Sequence, residues 1–564
     1  MDRKILIFFL LGIVNYINSQ IIIDENYSDW TSVTTITDPA GDAFSNLDFT
    51  SMQINNDSEY LYFRFAINQD VNLQDESKIL LQIDIDNNSL TGKQVNGIGA
   101  DVIYDFGQRT GYYHRNSQIY NFNHSDCGLL SLPTVTSAEF EFAIKRKFNA
   151  GNYLILIGNK IRTYMSVDIA NGDKIPDQSG GYSYSMNTNA YSYPGFTIDK
   201  TDPGHLRIMS YNVKQDGIFE DEPPYKRKIR AIRPDILCFQ EIYNHSSGEM
   251  KSKVQSYFGG NWYDAKIGSD IIVISKYPVS RFESIGGNGA FLINYNGVDI
   301  LIINVHFYCC DNDIDRQVEV DEIIQFIRNS RNGFGPFNIK KNTPIIITGD
   351  TNFVGSKRQR ITLTQGDIVN ESKYGKDFLP DWDNSFLEDV KPFTTGYSAA
   401  FTWYSPWSSY PAGRLDYIFY TGSVLQLENA FVLCTDNLSR DILDNYQLNN
   451  EDSANASDHL PVVADFSLRS VIPVNEISGV QTKLIVYPSP ATDVLNIQWL
   501  LTGIENQIFI IDIDGKSVWN KKFRTENDVN NTEINICDWK PGYYRVLIYD
   551  KERILFGSEG FMKL

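Results

Sequence analysis

The stretch PIIITGD (residues 344–350) decides the fold of the central part of the chain. Its isoleucine run, ending at Thr348, is typical of a strand buried on both faces. The same pattern occurs in VDILIINVHF (residues 298–307), and a helix is predicted between the two, through residues 318–329. Apolar strands that alternate with helices predict sheets packed against helices, which is a layered α/β domain.

The alternation extends toward the N-terminus. LRIMSYNV (residues 206–213) predicts a strand, PPYKRKIRAIR (residues 223–233) a helix opened by proline, and DILCFQE (residues 235–241) another strand. We therefore expect one α/β domain over residues 205–469. Residues 186–204 are polar and turn-forming, so we expect a linker there.

Polar side chains stand at the ends of these apolar strands. They are Asn212, Glu241, His306, Asp350, Asn352, Asp458 and His459. A strand interior tolerates unpaired polar groups poorly, whereas strand ends direct them into one cleft. Carboxylate and amide oxygens are hard ligands that suit Mg²⁺ or Mn²⁺, and a bound cation lets clustered carboxylates stay ionised. These residues therefore predict one polar site built around a divalent metal.

Six motifs in this region occur in the order found in a known family. They are SYNV with Asn212, FQE with Glu241, NVHF with His306, GDTN with Asp350 and Asn352, RLDYIF with Asp416, and SDHLPV with Asp458 and His459. With these motifs, residues 206–468 resemble the endonuclease/exonuclease/phosphatase superfamily. The resemblance implies a four-layered α/β sandwich, in which two mixed β-sheets pack face to face, helices lie outside, and the active site lies where the strands end.

The resemblance also implies which residues hold the metal. Glu241 would be the principal ligand, and Asn212 and Asp458 would help to hold the metal or its waters. An alternative for Asn212 is that its side chain caps the following turn.

Catalytic roles for five residues follow from the same resemblance. Asp350 would orient and deprotonate the attacking water, with Asn352 beside it fixing the phosphate or a second metal. His459 would donate to the phosphoryl oxygens, held in orientation by Asp416, and His306 would stabilise or protonate the leaving oxygen. In-line displacement at phosphorus needs charge neutralisation, a positioned water and help for the leaving group, and this set supplies all three.

The segment around Asp416 bears on the substrate. Inositol phosphatases of the superfamily carry a Trp-Cys-Asp-Arg signature near this position, whereas this chain has GRLDY (residues 413–417), which disfavours that activity. Asp416 also has a structural alternative, an ion pair with Arg414 in the core. The substrate is left open between nucleic acid, phospholipid and organic phosphate, and between a monoester and a diester.

The composition restricts the partners. The 564 residues carry a net charge of −20, and 42% of them are hydrophobic, as in ordinary globular protein. Residues 205–469 hold 26 Lys and Arg against 34 Asp and Glu, which disfavours long-range attraction to a polyanion. We interpret the basic run in residues 226–233 as a solvated helix face rather than a nucleic-acid patch. We expect Cys309 and Cys310 to be small buried residues, the alternative being a strained disulfide.

The N-terminal end carries an addressing signal. Arg3 and Lys4 precede an apolar run over residues 5–14, followed by Ser19. The run is about ten residues long, while a bilayer-spanning helix needs roughly 18. Residues 1–19 therefore predict a secretory signal peptide, with a buried N-terminal helix as the alternative.

The C-terminal end carries a second signal, in residues 483–564. VYPSPATDVLNI (residues 486–497), IFIIDIDGKSVW and WKPGYYRVLIYD alternate in polarity between Gly and Pro turns, which predicts a small antiparallel β domain. These stretches resemble the C-terminal sorting domain of the type IX secretion system, although Ser489 replaces the usual Asn and KPG (residues 540–542) the usual loop. The resemblance implies a secreted or surface-attached protein that engages the type IX machinery. An adhesive β-sandwich is the alternative.

Residues 21–190 are strand-rich and predict an all-β sandwich that resembles carbohydrate-binding modules of secreted enzymes. The stretch DIDNN (residues 84–88), with Gly97, Gly99 and Asp101 beyond it, offers oxygen ligands for a structural Ca²⁺. The alternative is that Asp and Asn simply form the hairpin turn. Aromatic residues 112–114 would suit a sugar, or packing, so contact with a polysaccharide or surface through this module is an expectation.

Together these features predict a secreted Mg-dependent phosphoesterase that hydrolyses extracellular phosphoesters by in-line water attack. A catalytically inactive surface-binding protein built on the same folds is the alternative, and loss of any of the six motifs would have favoured it. We also expect the first sandwich to be separable, so that its deletion leaves turnover of small soluble substrates intact.

Overall fold

The computed structural model describes residues 20–42, 46–75, 77–469, 484–499, 505–512, 516–524, 530–550 and 555–564. The proposed signal peptide, residues 1–19, lies outside the described residues. The chain forms two compact units, one ending at Arg469 and one beginning at Ser470, and each is described by itself. In the described part of the chain, no helix is both long and apolar enough to cross a membrane.

The N-terminal region, residues 20–190, is built on two antiparallel sheets. The first contains, in spatial order, Thr35–Thr37, Phe49–Asn56, Tyr60–Val71, Ser137–Lys145 and Leu130–Leu132. The second contains Lys174–Ile175, Lys160–Val167, Ile79–Asp84, Val102–Asp105, Thr110–Arg115 and Gln118–Phe122, and Tyr182–Ser185 also pairs with Lys160–Val167. Alternate residues of both sheets, such as Phe63 and Met165, share one core.

Shorter elements complete this region. They are the 3₁₀ helix Tyr27–Ser32, the helix His124–Cys127, and the strand pairs Lys93–Val95 with Ile98–Ala100 and Lys147–Ala150 with Tyr153–Leu156.

The central region, residues 205–469, alternates strands and helices as its sequence predicts. Its strands are β1 (Leu206–Asn212), β2 (Ile236–Gln240), β3 (Tyr263–Ile267), β4 (Ile271–Ser275), β5 (Val279–Ile285), β6 (Asn288–Tyr295), β7 (Val298–His306), β8 (Ile345–Asp350), β9 (Glu388–Asp389), β10 (Asp416–Tyr420), β11 (Leu425–Val432) and β12 (Val462–Leu468). One sheet has the order β3-β4-β2-β1-β12-β11 and the other β5-β6-β7-β8-β10-β9. Both sheets are mixed, because β1 and β2 are parallel, β7 and β8 are parallel, and the other pairs are antiparallel.

Helices follow or precede these strands. They are α1 (Gly217–Glu220), α2 (Glu222–Ile232), α3 (Ser247–Phe258), α4 (Asp313–Arg331), α5 (Arg358–Gln365), α6 (Glu371–Tyr374), α7 (Arg440–Tyr446) and α8 (Asp452–Asn455). The predicted helix at residues 318–329 is the greater part of α4. Proline stands in the first turn of α2, as expected.

The two sheets share one core, and each has a second core against helices. Ile208 and Ile302, from different sheets, lie in the shared core. The opposite face of the first sheet packs on α2 and α3 through residues such as Met209 and Val254, and the opposite face of the second packs on α4. Every residue of the inner strands β1, β2, β4, β8 and β10 is therefore buried, which accounts for their unbroken apolar runs.

Residues 186–204 connect the two regions without helix or strand and are mostly exposed or half-buried, as predicted for a linker, but the two regions also pack against each other. Ile23, Trp30 and Leu130 lie in the same core as Phe401 and Ala412 of the central region. Backbone hydrogen bonds join residues 23 and 398, and residues 136 and 355. This shared core argues against a freely separable sandwich, because removal of the sandwich would expose the shared apolar surface. The effect of the deletion on turnover stays a prediction.

The C-terminal unit consists of antiparallel strands, as its alternating sequence predicts. One sheet has the order Ile485–Tyr487, Val494–Trp499, Asn530–Asn535, and the other Ser517–Arg524, Glu505–Ile511, Gly542–Asp550, Leu555–Lys563. Leu495 and Ile497 of the first sheet pack with Ile508 and Val546 of the second.

Candidate active site

The strand ends of both central sheets bring the polar side chains together. Asn212 ends β1 and Glu241 directly follows β2, while His306 ends β7 and Asp350 ends β8. In the parallel pair β7–β8, His306 lies opposite Asp350. Because the carboxyl ends of parallel strands lie at the same edge of a sheet, the side chains converge.

Glu241, Asn212 and Asp350 form the acidic centre of the site. The amide of Asn212 donates to Oε1 of Glu241 at 2.8 Å and to Oδ2 of Asp350 at 2.9 Å. Ligand atoms of Glu241, Asp350 and His306 lie within 4.8 Å of one another. Asn212 is fully buried, and its side chain does both things that were expected of it: the amide contacts both carboxylates, and Oδ1 caps the following turn by accepting from the backbone N–H of Lys214 at 2.9 Å. Two carboxylates and an amide at this spacing fit a hard divalent cation.

His459 and Asp416 form a buried pair on the other side of Asp350. Nδ1 of His459 lies 2.9 Å from Oδ2 of Asp416, which also accepts a 2.8 Å hydrogen bond from the Thr402 hydroxyl. Burial alone lowers the pKa of His459, but the carboxylates of Asp416 and Asp350 outweigh it and raise the pKa to about 10. The imidazole is therefore held protonated, with its Nε2 free to donate.

A second histidine–carboxylate pair involves Asp270, which the sequence argument missed. Nδ1 of His306 lies 2.6 Å from Oδ2 of Asp270. Burial alone lowers the pKa of His306, but the hydrogen bond to Asp270 and the charge of Asp350 raise it to about 9. Asp270 stands directly before the apolar strand β4, so a search for polar residues at both ends of apolar strands would have found it.

Both imidazoles point at Asp350. Nε2 of His459 lies 3.5 Å from its Oδ2, and Nε2 of His306 lies 3.8 Å from the same oxygen. The other oxygen, Oδ1, accepts from the backbone N–H of Asn352 at 3.0 Å. Two cationic donors and a fixed carboxylate around one space are the groups that stabilise and attack a phosphoryl centre.

Asn352 and Asp458 occupy the edge of the site. The side-chain amide of Asn352 donates to the Phe307 carbonyl at 3.0 Å, and the residue is buried. Asp458 lies next to His459, and its Oδ2 is 3.5 Å from Nζ of Lys214. Within the described residues, Asp458 is in neither of the clusters around Asp350.

One alternative and one expectation are corrected. Arg414 pairs with Asp389 in a buried ion pair, so it is not the partner of Asp416. Cys309 and Cys310 are exposed free thiols whose sulfurs lie 2.6 Å apart, because the loop after β7 carries them to the surface.

The basic helix α2 is only partly a solvated face. Lys228 lies on the buried face of α2, and its Nζ is 2.5 Å from the Tyr211 hydroxyl oxygen. Arg227 forms an ion pair with Asp452. The remaining basic residues of the run face the outside, where Arg233 pairs with Asp199.

The loop predicted to hold Ca²⁺ brings three carboxylates together. Oxygens of Asp84, Asp86 and Asp101 lie within 4.8 Å of one another. The backbone N–H of Asn88 donates to Asp84 and to Asp86, as in a tight Asx-type turn. The loop therefore has the acidic spacing of a cation site and the hydrogen bonds of a turn, and Ca²⁺ stays a prediction there. The side chains of residues 112–114, which would suit a sugar or packing, are half-buried in the strand Thr110–Arg115.

Comparisons with known proteins agree with the motifs. Residues 209–459 match the model of the Endonuclease/Exonuclease/phosphatase family, and residues 485–555 match that of the Secretion system C-terminal sorting domain. Comparison with curated proteins gives no match.

Several solved structures are similar. The endonuclease/exonuclease/phosphatase from Beutenbergia cavernae DSM 12333 is 13% identical, over 64% of this chain and 99% of that one, with a TM-score of 0.31. The human Nocturnin catalytic domain with bound sulfate is 18% identical, over 47% and 94%, with a TM-score of 0.30. ANGEL2, a 2′,3′-cyclic phosphatase, is 19% identical, over 46% and 95%, with a TM-score of 0.33.

The family matches confirm the two resemblances on which the sequence argument relied, and with them the enzyme class and the secreted location. The chain carries a catalytic domain of the endonuclease/exonuclease/phosphatase family, whose members are phosphoric ester hydrolases, joined to a sorting domain that directs it to the cell surface or beyond.

Proposed function

We propose that this protein is a secreted Mg²⁺-dependent (or Mn²⁺-dependent) phosphoesterase that acts on extracellular phosphoesters by in-line water attack. The observation that carries the proposal is the convergence of Glu241, Asp350 and His459, from three distant parts of the chain, on one space. We further propose that residues 205–469 form the four-layered α/β sandwich of the family, flanked by a β-sandwich over residues 21–190 and a sorting domain over residues 483–564.

Glu241 would hold the metal, with Asn212 and Asp458 helping to hold it or its waters. When bound, the cation supplies positive charge that offsets the negative charge on the phosphoryl and leaving oxygens. Without a cation, Glu241 and Asp350 are held close by a single Asn212 amide, which satisfies only part of their acceptor capacity. The donor chemistry therefore supports a metal at this point.

Asp350 would take the proton from the attacking water. Its two oxygens are fixed separately, by the amide of Asn212 and the backbone N–H of Asn352, so the carboxylate cannot rotate away from the reacting atoms. An oriented base removes a proton without first reorganising its surroundings, which lowers the barrier of the step. Asn352 would also fix the phosphate edge or a second metal.

The two histidines would act on the oxygens of the phosphoryl group. Asp416 and Asp270 accept from the Nδ1 atoms, so each ring presents its Nε2–H toward the space beside Asp350. We assign His459 to the non-bridging phosphoryl oxygens and His306 to the leaving oxygen, which it protonates as the P–O bond breaks.

A cavity beside Asn352 bears on the substrate. It has a volume of about 750 Å³, and Trp403 and Tyr410 are among its lining residues. Its charged lining residues are Asp75, Asp311, Asp313 and Arg316. Asp75 pairs with Arg109 and Asp313 with Arg316, so the lining has no excess of positive charge that would hold a long polyanion. We therefore propose a small organic phosphoester or short nucleotide as substrate. Nucleic acid and phospholipid are the other outcomes of the test.

The test is hydrolysis of a chromogenic phosphodiester by the secreted form, with and without Mg²⁺. Wild type is compared with Glu241→Ala and His459→Ala, and His205→Ala, at a histidine outside the site, is the matched control. We expect the control to equal wild type and both site variants to lose about 10²-fold or more in rate. Equal rates in all four proteins would instead support the inactive surface-binding alternative. A panel of mononucleotides, single-stranded DNA, RNA and phospholipid then ranks the substrates.

A further inference from the structure

The N-terminal region contains a second aspartate cluster, which no sequence motif suggested. Carboxylate oxygens of Asp38, Asp42, Asp48 and Asp173 lie within 4.8 Å of one another. Asp38 follows the strand Thr35–Thr37 and Asp48 precedes Phe49–Asn56, whereas Asp173 precedes Lys174–Ile175 of the other sheet. The cluster therefore lies where the edges of the two N-terminal sheets meet.

Several oxygens in this cluster are enclosed and have no partner. Asp48 is only 6% exposed, and its Oδ1 accepts no hydrogen bond, although its Oδ2 accepts from the Gly41 N–H at 2.9 Å. Both carboxylate oxygens of Asp38 are likewise enclosed and without a partner. A buried carboxylate oxygen without a donor is costly, so such an atom indicates a missing ligand.

In the described part of the chain, no ion pair offsets the charge of the cluster. Among the described residues, neither lysine nor arginine forms an ion pair with any of the four aspartates. Burial, and after it the charges of Asp173 and its neighbours, raise the pKa of Asp38 to about 7. Holding these carboxylates together is therefore unfavourable without a cation.

We propose that Asp38, Asp42, Asp48 and Asp173 bind a structural Ca²⁺ that fastens the two N-terminal sheets to each other. Ca²⁺ takes six to eight oxygen ligands in a flexible geometry and accepts several carboxylates, whereas Mg²⁺ keeps most of its waters and binds one or two. The cation neutralises the buried charges, and its ligands span both sheets.

The site is separate from the catalytic metal and from the Asp84 loop. None of its four residues contacts Glu241, Asp350 or the histidines in the described structure. Loss of this site therefore changes calcium binding and thermal stability without changing the chemistry of phosphoester hydrolysis.

The experiment uses the full secreted chain after removal of metals with EDTA. Calcium binding is measured by isothermal titration with Mg²⁺ present in excess, and thermal unfolding is followed with and without Ca²⁺. Three variants are compared with wild type: Asp42→Asn, at an exposed ligand, Asp38→Asn with Asp48→Asn, and Asp84→Asn with Asp101→Asn as the control for the other loop.

We expect Asp42→Asn to fold normally and to bind this Ca²⁺ at least tenfold more weakly. The Asp38/Asp48 double variant should bind one Ca²⁺ fewer than wild type and, in EDTA, should melt at a higher temperature than wild type, because it lacks the repelling charges. The Asp84/Asp101 control should keep the site. The proposal is overturned if wild type binds no Ca²⁺, if excess Mg²⁺ displaces it, or if Asp42→Asn and the double variant bind as wild type does.

Discussion

At the scale of single residues, the protonation of the two histidines in the site depends on two carboxylates, one in contact with the Nδ1 atom of each imidazole. Asp416 and Asp270 each accept from an imidazole Nδ1, and each is largely removed from solvent. Burial penalises a lone imidazolium, so each ring keeps its proton only because a carboxylate lies in contact. Substitution of either carboxylate should therefore act through the histidine in front of it.

Asp416→Asn should lower the pKa of His459 from about 10 toward, or below, its ordinary 6.5. Since the pKa in the folded state is raised, protonated His459 contributes its full stabilisation below pH 6.5 and loses it as the pH rises toward 10. The variant should lose that pH-dependent stabilisation, and its kcat should fall about 10²-fold. NMR titration of the imidazole in the metal-free protein checks the pKa, and an unchanged value contradicts the assignment.

Asp270→Asn tests a residue that no motif pointed to. The pKa of His306, about 9, should fall, because its hydrogen-bonded carboxylate is removed. If His306 protonates the leaving oxygen, the loss of kcat should be larger for an alkoxide leaving group than for p-nitrophenolate, which needs little protonation. The same loss with both substrates would show that Asp270 only supports the fold.

Most residues of the site could be predicted from the sequence because they lie at the ends of apolar strands and within short motifs. Asn212, Glu241, His306, Asp350 and His459 all converge as expected. Asp270 was missed because it begins a strand instead of ending one. The alternative pairing of Asp416 with Arg414 fails because Arg414 lies just before β10 and pairs with Asp389 of the neighbouring strand β9, a partner distant in sequence that no local pattern indicated.

At the scale of elements, the site depends on the register of β7 and β8. Gly349 pairs with Val305 and has φ of 143°, and a Cβ built there would lie 2.0 Å from the Val305 carbonyl oxygen. Only glycine therefore allows the two strands to approach closely enough to set His306 opposite Asp350.

Gly349→Ala should lower the free energy of unfolding by at least about 1–3 kcal/mol and should reduce activity more than this loss of stability explains. The physical reason is that the strands must separate, which moves His306 away from Asp350. Denaturant unfolding and kcat are measured together. Gly195→Ala, where the added Cβ meets nothing within 4 Å, is the control and should match wild type. Wild-type activity in Gly349→Ala would mean that register does not set the site.

Element types in the central region followed from apolar runs, but surface features did not. The strand in PIIITGD is buried on both faces. An unbroken apolar run of this kind is typical of the interior of a sheet covered on both sides, so its element type could be predicted from the sequence. The basic run of α2 divides between a buried Lys228 and exposed residues, since an α-helix turns its side chains around its axis. Cys309 and Cys310 are exposed at the surface because the chain leaves the sheet after β7. No local sequence pattern predicted that turn.

At the scale of the whole molecule, the N-terminal region and the central region behave as one folding unit. Ile23 and Trp30 are fully buried in the core that includes Phe401. Arg360 forms a 2.5 Å ion pair with the buried Glu25, which crosses the same boundary. Composition changes between the regions suggested separate domains, but only the fold reveals which apolar surfaces meet.

Deletion of residues 20–190 should therefore destabilise the remaining chain and expose apolar surface. We expect residues 191–469 alone to bind a hydrophobic dye, to aggregate, or to melt at a temperature well below that of the intact protein. The reason is that apolar side chains of the shared core lose their packing partners and become exposed to water. Circular dichroism melting and gel filtration check this. A soluble fragment with the melting temperature and activity of the full chain would contradict the shared core.

The most direct test of the central claim is the metal dependence of turnover. Protein stripped with EDTA is titrated with Mg²⁺ while hydrolysis of bis(p-nitrophenyl) phosphate is recorded, for wild type and for Glu241→Gln. We predict no turnover before metal is added, saturable recovery in wild type, and a need for at least tenfold more Mg²⁺ in Glu241→Gln. Full activity in EDTA, or identical curves for the two proteins, would contradict a catalytic metal held by Glu241.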